Sequence, residues 1–205
     1  MNAADLAIGF VYASLLVELL AFPIPSEASV WQLLAAKDGG AVAGPLRTAQ
    51  RQGRLAKLLR YALPTTVGVV AWLLPGLCLL WPALRLGAAA PSPATAAAGM
   101  VAIGLGRGLT FTSVLQLRHA QRLGRPPEGW FRWSRNPGLV GMYLCFGGLV
   151  LAAGLPLLWA ALPLYVANMH GRVRLEEAHQ QAQLGPAWAN YAAAVPRYLP
   201  LPGLR

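Results

Sequence analysis

Apolar residues dominate five stretches, at about 6 to 22, 61 to 82, 94 to 117, 138 to 155 and 156 to 170, and Pro, Gly or Arg punctuates the gaps between them. Stretches of this length and apolarity predict helices that cross a bilayer. The pattern therefore predicts an all-α, polytopic membrane protein of about five transmembrane helices, with a short C-terminal helical hairpin and a cytoplasmic C-terminal helix. Pro23 and Pro25 end the first helix, and residues 26–60 form a polar segment holding one short amphipathic piece at 30–36. Residues 1–205 read as a single membrane domain, with three helices and the basic segment in 1–123 and the hairpin and C-terminal helix in 124–205.

Composition supports a membrane setting. Of 205 residues 56% are hydrophobic and only 12% are charged, too few to coat a soluble domain of this size. The net charge of +10 would suit a nucleic-acid binder, but the cations cluster between the apolar runs. Lys37, Arg47, Arg51, Arg54, Lys57 and Arg60 fill one gap, and Arg118, Arg122, Arg125, Arg132 and Arg135 another. By the positive-inside rule both gaps are cytoplasmic, which places the N-terminus and the link at 85–93 outside and the C-terminal tail inside. The expected location is a bacterial inner membrane, with no nucleic-acid partner. Asp5 and the lack of a basic leader argue against a cleavable signal peptide. Cys78 and Cys145 lie within apolar runs and read as small buried hydrophobes. His119, His170 and His179 show no ligand spacing with Cys or carboxylate, so no metal is expected.

The last two runs carry the most information. Between Gly138 and His170 each crossing has roughly 16 residues, or about 25 Å, against a hydrocarbon core of about 30 Å. The hairpin is short, so 132–137 and 170–177 are expected at one recessed interfacial depth, where a lipid-soluble molecule can meet a water-soluble one. Asn136-Pro137 has the form of a helix start, with Asn as N-cap and Pro at the first helical position. The same geometry would aim N–H groups and Arg135 at a carboxylate or phosphate. Past the hairpin, Arg172 precedes Glu176 by one turn and Arg174 precedes Glu177 by three residues. They can form weak surface ion pairs, or the Glu pair can face Arg135 and accept hydrogen bonds from an ammonium or a ribose diol. Arg107 sits near the middle of the third run, where a charge needs a partner. It can snorkel, pair with Glu18, or meet a cofactor carboxylate or substrate headgroup.

The ordered set Arg135-Asn136-Pro137, Gly141, Glu176-Glu177, Gly185, Tyr191 and Val195-Pro196-Arg197-Tyr198-Leu199-Pro200 resembles the isoprenylcysteine carboxyl methyltransferase and phospholipid methyltransferase superfamily. The resemblance covers about 124 to 200 and implies an integral membrane methyltransferase that binds S-adenosylmethionine at the cytoplasmic interface. On that basis Arg135, Asn136, Pro137 and Gly141 would line the cofactor, Glu176 and Glu177 would hold its amino or ribose groups, and Arg197 would close the pocket. Gly104-Leu105-Gly106 resembles a Gly-x-Gly of phospholipid methyltransferases that is associated with the cofactor. Gly104 and Gly108 equally form a small-xxx-small pair for helix packing.

The chain departs from the family's pattern at Leu139, where the family usually has Tyr, at Leu184, where it has Phe, and at Trp188, where it has Tyr. Tyr143, one turn after Leu139, can supply the missing hydroxyl. The family's prenylcysteine-directed members often carry His at the position of Asn136, so the acceptor can differ. The expected methyl acceptor is a lipophilic or small molecule bearing a carboxyl, amine or thiol, drawn from among membrane lipids or solutes. Glu177 or Tyr143 would assist an amine by taking its proton, and Arg107 is a third candidate for the reaction. A membrane reductase of the steroid reductase type with a nicotinamide cofactor, and a non-catalytic protein retaining the fold, are the alternatives. A dinucleotide would want more cations than Arg135 and Arg197, and a sulfonium amino acid wants carboxylates, which favours the methyltransferase.

Overall fold

The computed structural model describes residues 3–21, 53–85, 87–123 and 127–199, and every regular element among them is helical. Helix α1 spans Ala3–Ala21, α2 Arg54–Lys57, and a π-helical turn at Leu58–Ala62 leads directly into α3, Leu63–Leu80. A 3-10 turn at Pro82–Arg85 is followed by α4, Pro93–Leu123, and another at Gly129–Arg132 by α5, Pro137–Ala153. The chain then forms α6, Pro156–Leu184, and α7, Pro186–Ala194. The predicted break at Pro23 and Pro25 and the amphipathic piece at 30–36 lie outside the described residues. Elsewhere the helices follow the apolar runs, with one difference. The last apolar run does not end a helix at His170, because α6 continues unbroken to Leu184 and carries the Glu pair with it.

Two contacts fix which ends lie together. The Arg85 guanidinium binds Asp5 at 2.8 Å, joining the start of α1 to the end of α3. The Ala89 N–H donates to the Gly154 carbonyl at 3.2 Å, joining the link before α4 to the turn between α5 and α6. Gly154 closes that turn in the left-handed region, at φ 60°, where a side chain would be strained. The opposite end of the bundle therefore holds the end of α4, the start of α5 and the C-terminal part of α6.

Helix α4 and α5 form the most extensive pair, with no side chain between them at two levels. A Cβ on Gly106 would lie 2.5 Å from the Gly141 carbonyl oxygen, and one on Gly99 would lie 2.7 Å from the Gly148 carbonyl oxygen. Each pair is reciprocal, so glycines seven residues apart on both helices form one seam of backbone contact. Against α5 pack α1, α3 and α6, around the stacked rings of Trp72, Phe146 and Tyr165.

Arg107 points from α4 to α1, where its Nε donates to Ser14 Oγ at 2.9 Å and its Nη2 to Glu18 at 2.6 Å. Among the described residues one helix, Pro93–Ala120, is long and apolar enough to cross a membrane, and Thr66–Cys78 and Pro137–Ala153 are shorter apolar helices. At 17 residues α5 is about 25 Å long, shorter than a hydrocarbon core of about 30 Å.

Candidate functional site

Pro137 occupies the first turn of α5 and is buried, as the Asn-Pro pattern predicts. Asn136 stands in the N-cap position, but its side chain makes no capping bond. Its Nδ2 instead donates to the Arg197 carbonyl at 3.1 Å, a correction to the capping role. The reason is the chain beyond α7. Val195 leaves the helix in an extended conformation, its side chain is buried, and Pro196 prevents the helix from resuming. The strap 195–199 is thereby laid across the segment before α5. The Arg135 N–H donates to the Pro196 carbonyl at 2.9 Å, and Ser134 Oγ donates to the Arg197 carbonyl at 3.3 Å. Behind it, the Tyr191 hydroxyl of α7 donates to the Phe131 carbonyl at 2.9 Å. Burial pushes the Tyr191 phenol above its ordinary pKa, with nearby Arg135 pulling it down by less.

Beneath the strap lies Glu177, on the stretch of α6 that continues past the hairpin. Its side chain is 11% exposed, and Oε2 accepts from Arg197 Nε at 2.9 Å and Nη2 at 2.6 Å. Its other oxygen, Oε1, lies 3.5 Å from Arg135 Nη1, an ion pair without a hydrogen bond. Both Glu177 Oε1 and Arg135 Nε are buried, and among the described residues neither has a hydrogen-bond partner. Unmade bonds on buried charged groups are costly, and they are one acceptor and one donor held side by side. The hydrogen bond to Glu177 raises the Arg197 pKa further above its already high ordinary value, so the strap's cation is permanent. The surface pair Arg174–Glu177 is thus replaced by a cluster that joins α6, the segment before α5 and the strap; Arg174 itself is exposed.

A cavity of about 700 Å³ opens beside this cluster. Leu144, Gly147 and Leu151 of α5 form one wall, Trp159, Leu162 and Val166 of α6 another, and Arg197, Tyr198 and Leu199 of the strap close one end. Tyr143 also lines it, its ring edge-on to Tyr198 at 5.8 Å and its hydroxyl 3.4 Å from the Val166 carbonyl. Tyr198 in turn is bonded to His170 Nδ1 at 2.8 Å. The arrangement can hold an apolar chain with a polar head turned to Arg197, Tyr143 and Tyr198.

The structure therefore brings Arg135, Asn136, Pro137, Glu177 and Arg197 to one place, with Tyr143 on the adjoining cavity wall. Glu176 immediately precedes Glu177 on the same helix, and its side chain lies outside the described residues. The remaining candidates lie in the helix packing. Gly106 and Gly141 have the backbone of the facing helix against the very face where a ligand would need room, so they belong to the helix seam. Among the described residues Gly104 and Gly108 have nothing within 4 Å of a notional Cβ, so the pairing Gly104-xxx-Gly108 forms no seam with the described helices. Arg107 receives the protein partner among its possible ones, since its bonds go to α1. Ser134 and Tyr198 carried no role in the sequence reading, although the heptad spacing of Gly99/Gly106 and Gly141/Gly148 could have revealed the seam.

No curated protein and no solved structure matches the chain. A family model described as phospholipid methyltransferase matches residues 94–187, a stretch that begins in α4, contains Arg135, Asn136, Pro137 and Glu177, and stops before Arg197. Over residues 94–187, a little under half of the chain, the protein is thus similar to the phospholipid methyltransferase family, consistent with the wider superfamily of isoprenylcysteine carboxyl and phospholipid membrane methyltransferases.

Proposed function

We propose that the protein is a polytopic membrane methyltransferase that uses S-adenosylmethionine and acts on a lipophilic acceptor at the cytoplasmic interface. The observation that carries this reading is Glu177, buried between two arginines with one oxygen left without a hydrogen bond among the described residues, one of those arginines, Arg197, lining the end of an apolar cavity. Residues 1–205 act as one membrane domain of five crossings, with the N-terminus outside and the cofactor half, 124–205, ending in the cytoplasm. The shortness of α5 supports a recessed site, since its start must sink below the bilayer surface or thin the bilayer there.

The chemistry of the donor set fits the cofactor. Arg135 Nε is suited to a carboxylate, and Glu177 Oε1 to an ammonium or a ribose hydroxyl. A dinucleotide fits less well, because its phosphates would compete with Glu177 for Arg135 and Arg197. When bound, S-adenosylmethionine supplies an electrophilic methyl group on a sulfonium. The protein's own work is then positioning and exclusion of water. The strap covers the cluster through its bonds to Arg135, Ser134 and Asn136, and the cavity walls hold the acceptor's apolar part so that its head group lies near Tyr143 and Tyr198.

The test is a comparison of wild type with Glu177→Gln by isothermal titration in detergent micelles. Gln retains the size of Glu but removes the charge, so S-adenosylmethionine affinity is expected to fall by about 10-fold to 100-fold, the worth of one hydrogen bond to a charged group. Equal affinity in a variant that remains folded would remove Glu177 from the cofactor site.

A further inference from the structure

Helices α4 and α5 run antiparallel in one register, Gly106 against Gly141 and Gly99 against Gly148, so α5 starts level with Thr110, whose hydroxyl donates to the Gly138 carbonyl at 3.1 Å. Beyond that level α4 continues to Leu123. From Pro93 to Thr112 the helix covers about 30 Å, the thickness of a hydrocarbon core. The Gly129–Arg132 turn marks the same level, because the Trp130 indole N–H donates to Thr112 Oγ1 and the Trp130 backbone N–H to Gln116 Oε1, both at 3.0 Å. Gly129 permits this approach: its φ is 69°, and a Cβ there would lie 2.6 Å from the Gln116 side chain. Trp130 and Trp133 are both exposed, as indoles are at a bilayer's interface.

Past this level the surface turns cationic. Residues 111–133 carry four arginines against one carboxylate, Glu128. Arg118, half-buried, and Arg122, exposed, are one turn apart on α4, about 9 and 15 Å beyond Thr112, and helical side chains lean towards the N-terminus, here the bilayer side. On the same face below them Phe111 and Leu115 are exposed. Arg132, on the pinned turn, is exposed and meets Glu128 at 3.1 Å, a surface pair of little strength. We propose that the end of α4 and the Gly129–Arg132 turn form a binding surface for an anionic phospholipid of the cytoplasmic leaflet, its phosphate drawn to Arg118, Arg122 and Arg132 and its glycerol region set against Trp130 and Trp133. The order of the groups along α4 carries this choice: apolar side chains, then indoles, then cations match one amphiphile from acyl chain to headgroup. A surface for a soluble polyanion would need no apolar side chains directly below its arginines. The lipid surface rests on the membrane reading above and is independent of the cofactor.

Brominated phospholipids, which quench an indole on contact, test the surface. The full chain is reconstituted in phosphatidylcholine vesicles, and brominated phosphatidylglycerol or brominated phosphatidylcholine replaces the host lipid stepwise. The difference between wild type and Trp133→Phe isolates the Trp133 signal. Half-quenching of Trp133 is expected at a mole fraction of brominated phosphatidylglycerol about 5-fold or more below that of brominated phosphatidylcholine, 5-fold being the worth of one arginine near an anionic leaflet. Arg122→Gln with Arg132→Gln, both at exposed positions, should at least halve that preference, and adding Arg118→Gln should abolish it. Circular dichroism confirms that each variant is folded, and the double variant carries the test if the triple is not. Equal midpoints for the two lipids in wild type, or an undiminished preference in the double variant, overturns the proposal. Quenching of other indoles but not of Trp133 overturns it as well, whereas quenching of no indole by either lipid overturns the membrane reading itself.

Discussion

Glu177 gives one carboxylate oxygen entirely to Arg197, at 2.6 and 2.9 Å, and holds the other 3.5 Å from Arg135 without a hydrogen bond. The pairing joins three parts of the chain that are distant in sequence, and it leaves a donor and an acceptor to be satisfied by something else. Arg197 also reaches the site from beyond the stretch that matches the family model. Replacing Arg197 by Ala is expected to loosen the strap and weaken S-adenosylmethionine binding by about tenfold, whereas Arg197→Lys, with no bidentate geometry, recovers only part of the loss. Isothermal titration of both variants reads the difference.

The helix seam makes a sharp contrast among neighbouring glycines. Gly106→Ala and Gly141→Ala each drive a methyl group into the facing backbone, which should cost about 1–3 kcal/mol, as overpacking does. Gly104→Ala meets nothing within 4 Å and should leave stability unchanged or slightly raised. Thermal unfolding in detergent separates the three, and equal losses at Gly104 and Gly106 would contradict the seam.

The Arg107–Glu18 pair is buried on both sides, with side chains 7% and 17% exposed. Arg107→Met or Glu18→Gln alone strands a charge and should cost about 3–5 kcal/mol, while the double replacement should recover most of it. A double-mutant cycle of unfolding free energies measures the coupling. If Arg107 acts on a ligand instead, the single and double variants will lose activity alike while stability changes little.

How much of this was legible in the sequence varies from part to part. The helices were, because apolar runs separated by Pro and Gly leave few choices, and so was the approach of Glu177 to Arg135, because a short hairpin forces its two ends to the same depth. The place of Gly106 in the seam with α5 was not legible, since a Gly-x-Gly pattern does not say which face of a helix meets a neighbour. The capping role of Asn136 failed for a tertiary reason, the arrival of the Arg197 carbonyl from the strap. The Tyr198–His170 contact spans 28 residues and two helix ends, at Gly185 and Val195, and no local pattern announces it.

Alkaline pH should destabilise the protein through its buried phenols. Tyr191 and Tyr198 have folded pKa values above the ordinary tyrosine value of about 10. Between that value and the raised one, the unfolded chain loses a proton that the folded chain keeps, so the contribution is intact below about pH 10 and is lost as pH rises through the folded pKa. Tyr191→Phe should flatten the fall in Tm above about pH 10, at the cost of the bond to the Phe131 carbonyl.

Filling the cavity should separate acceptor from cofactor. Gly147 lines it with nothing among the described residues within 4 Å of a notional Cβ, so the side chain of Gly147→Leu starts into open space. Binding of a long-chain amphiphile is expected to weaken by about tenfold or more, with S-adenosylmethionine affinity unchanged. Parallel loss of both would mean that the cavity and the Glu177 cluster hold a single ligand.

The central claim, a sulfonium cofactor held at Glu177, is tested most directly by titrating the wild-type protein in micelles with S-adenosylmethionine, its demethylated product and NADPH in turn. Saturable binding of the first two, with none of NADPH, is the expected result. Tight binding of NADPH alone would contradict the account.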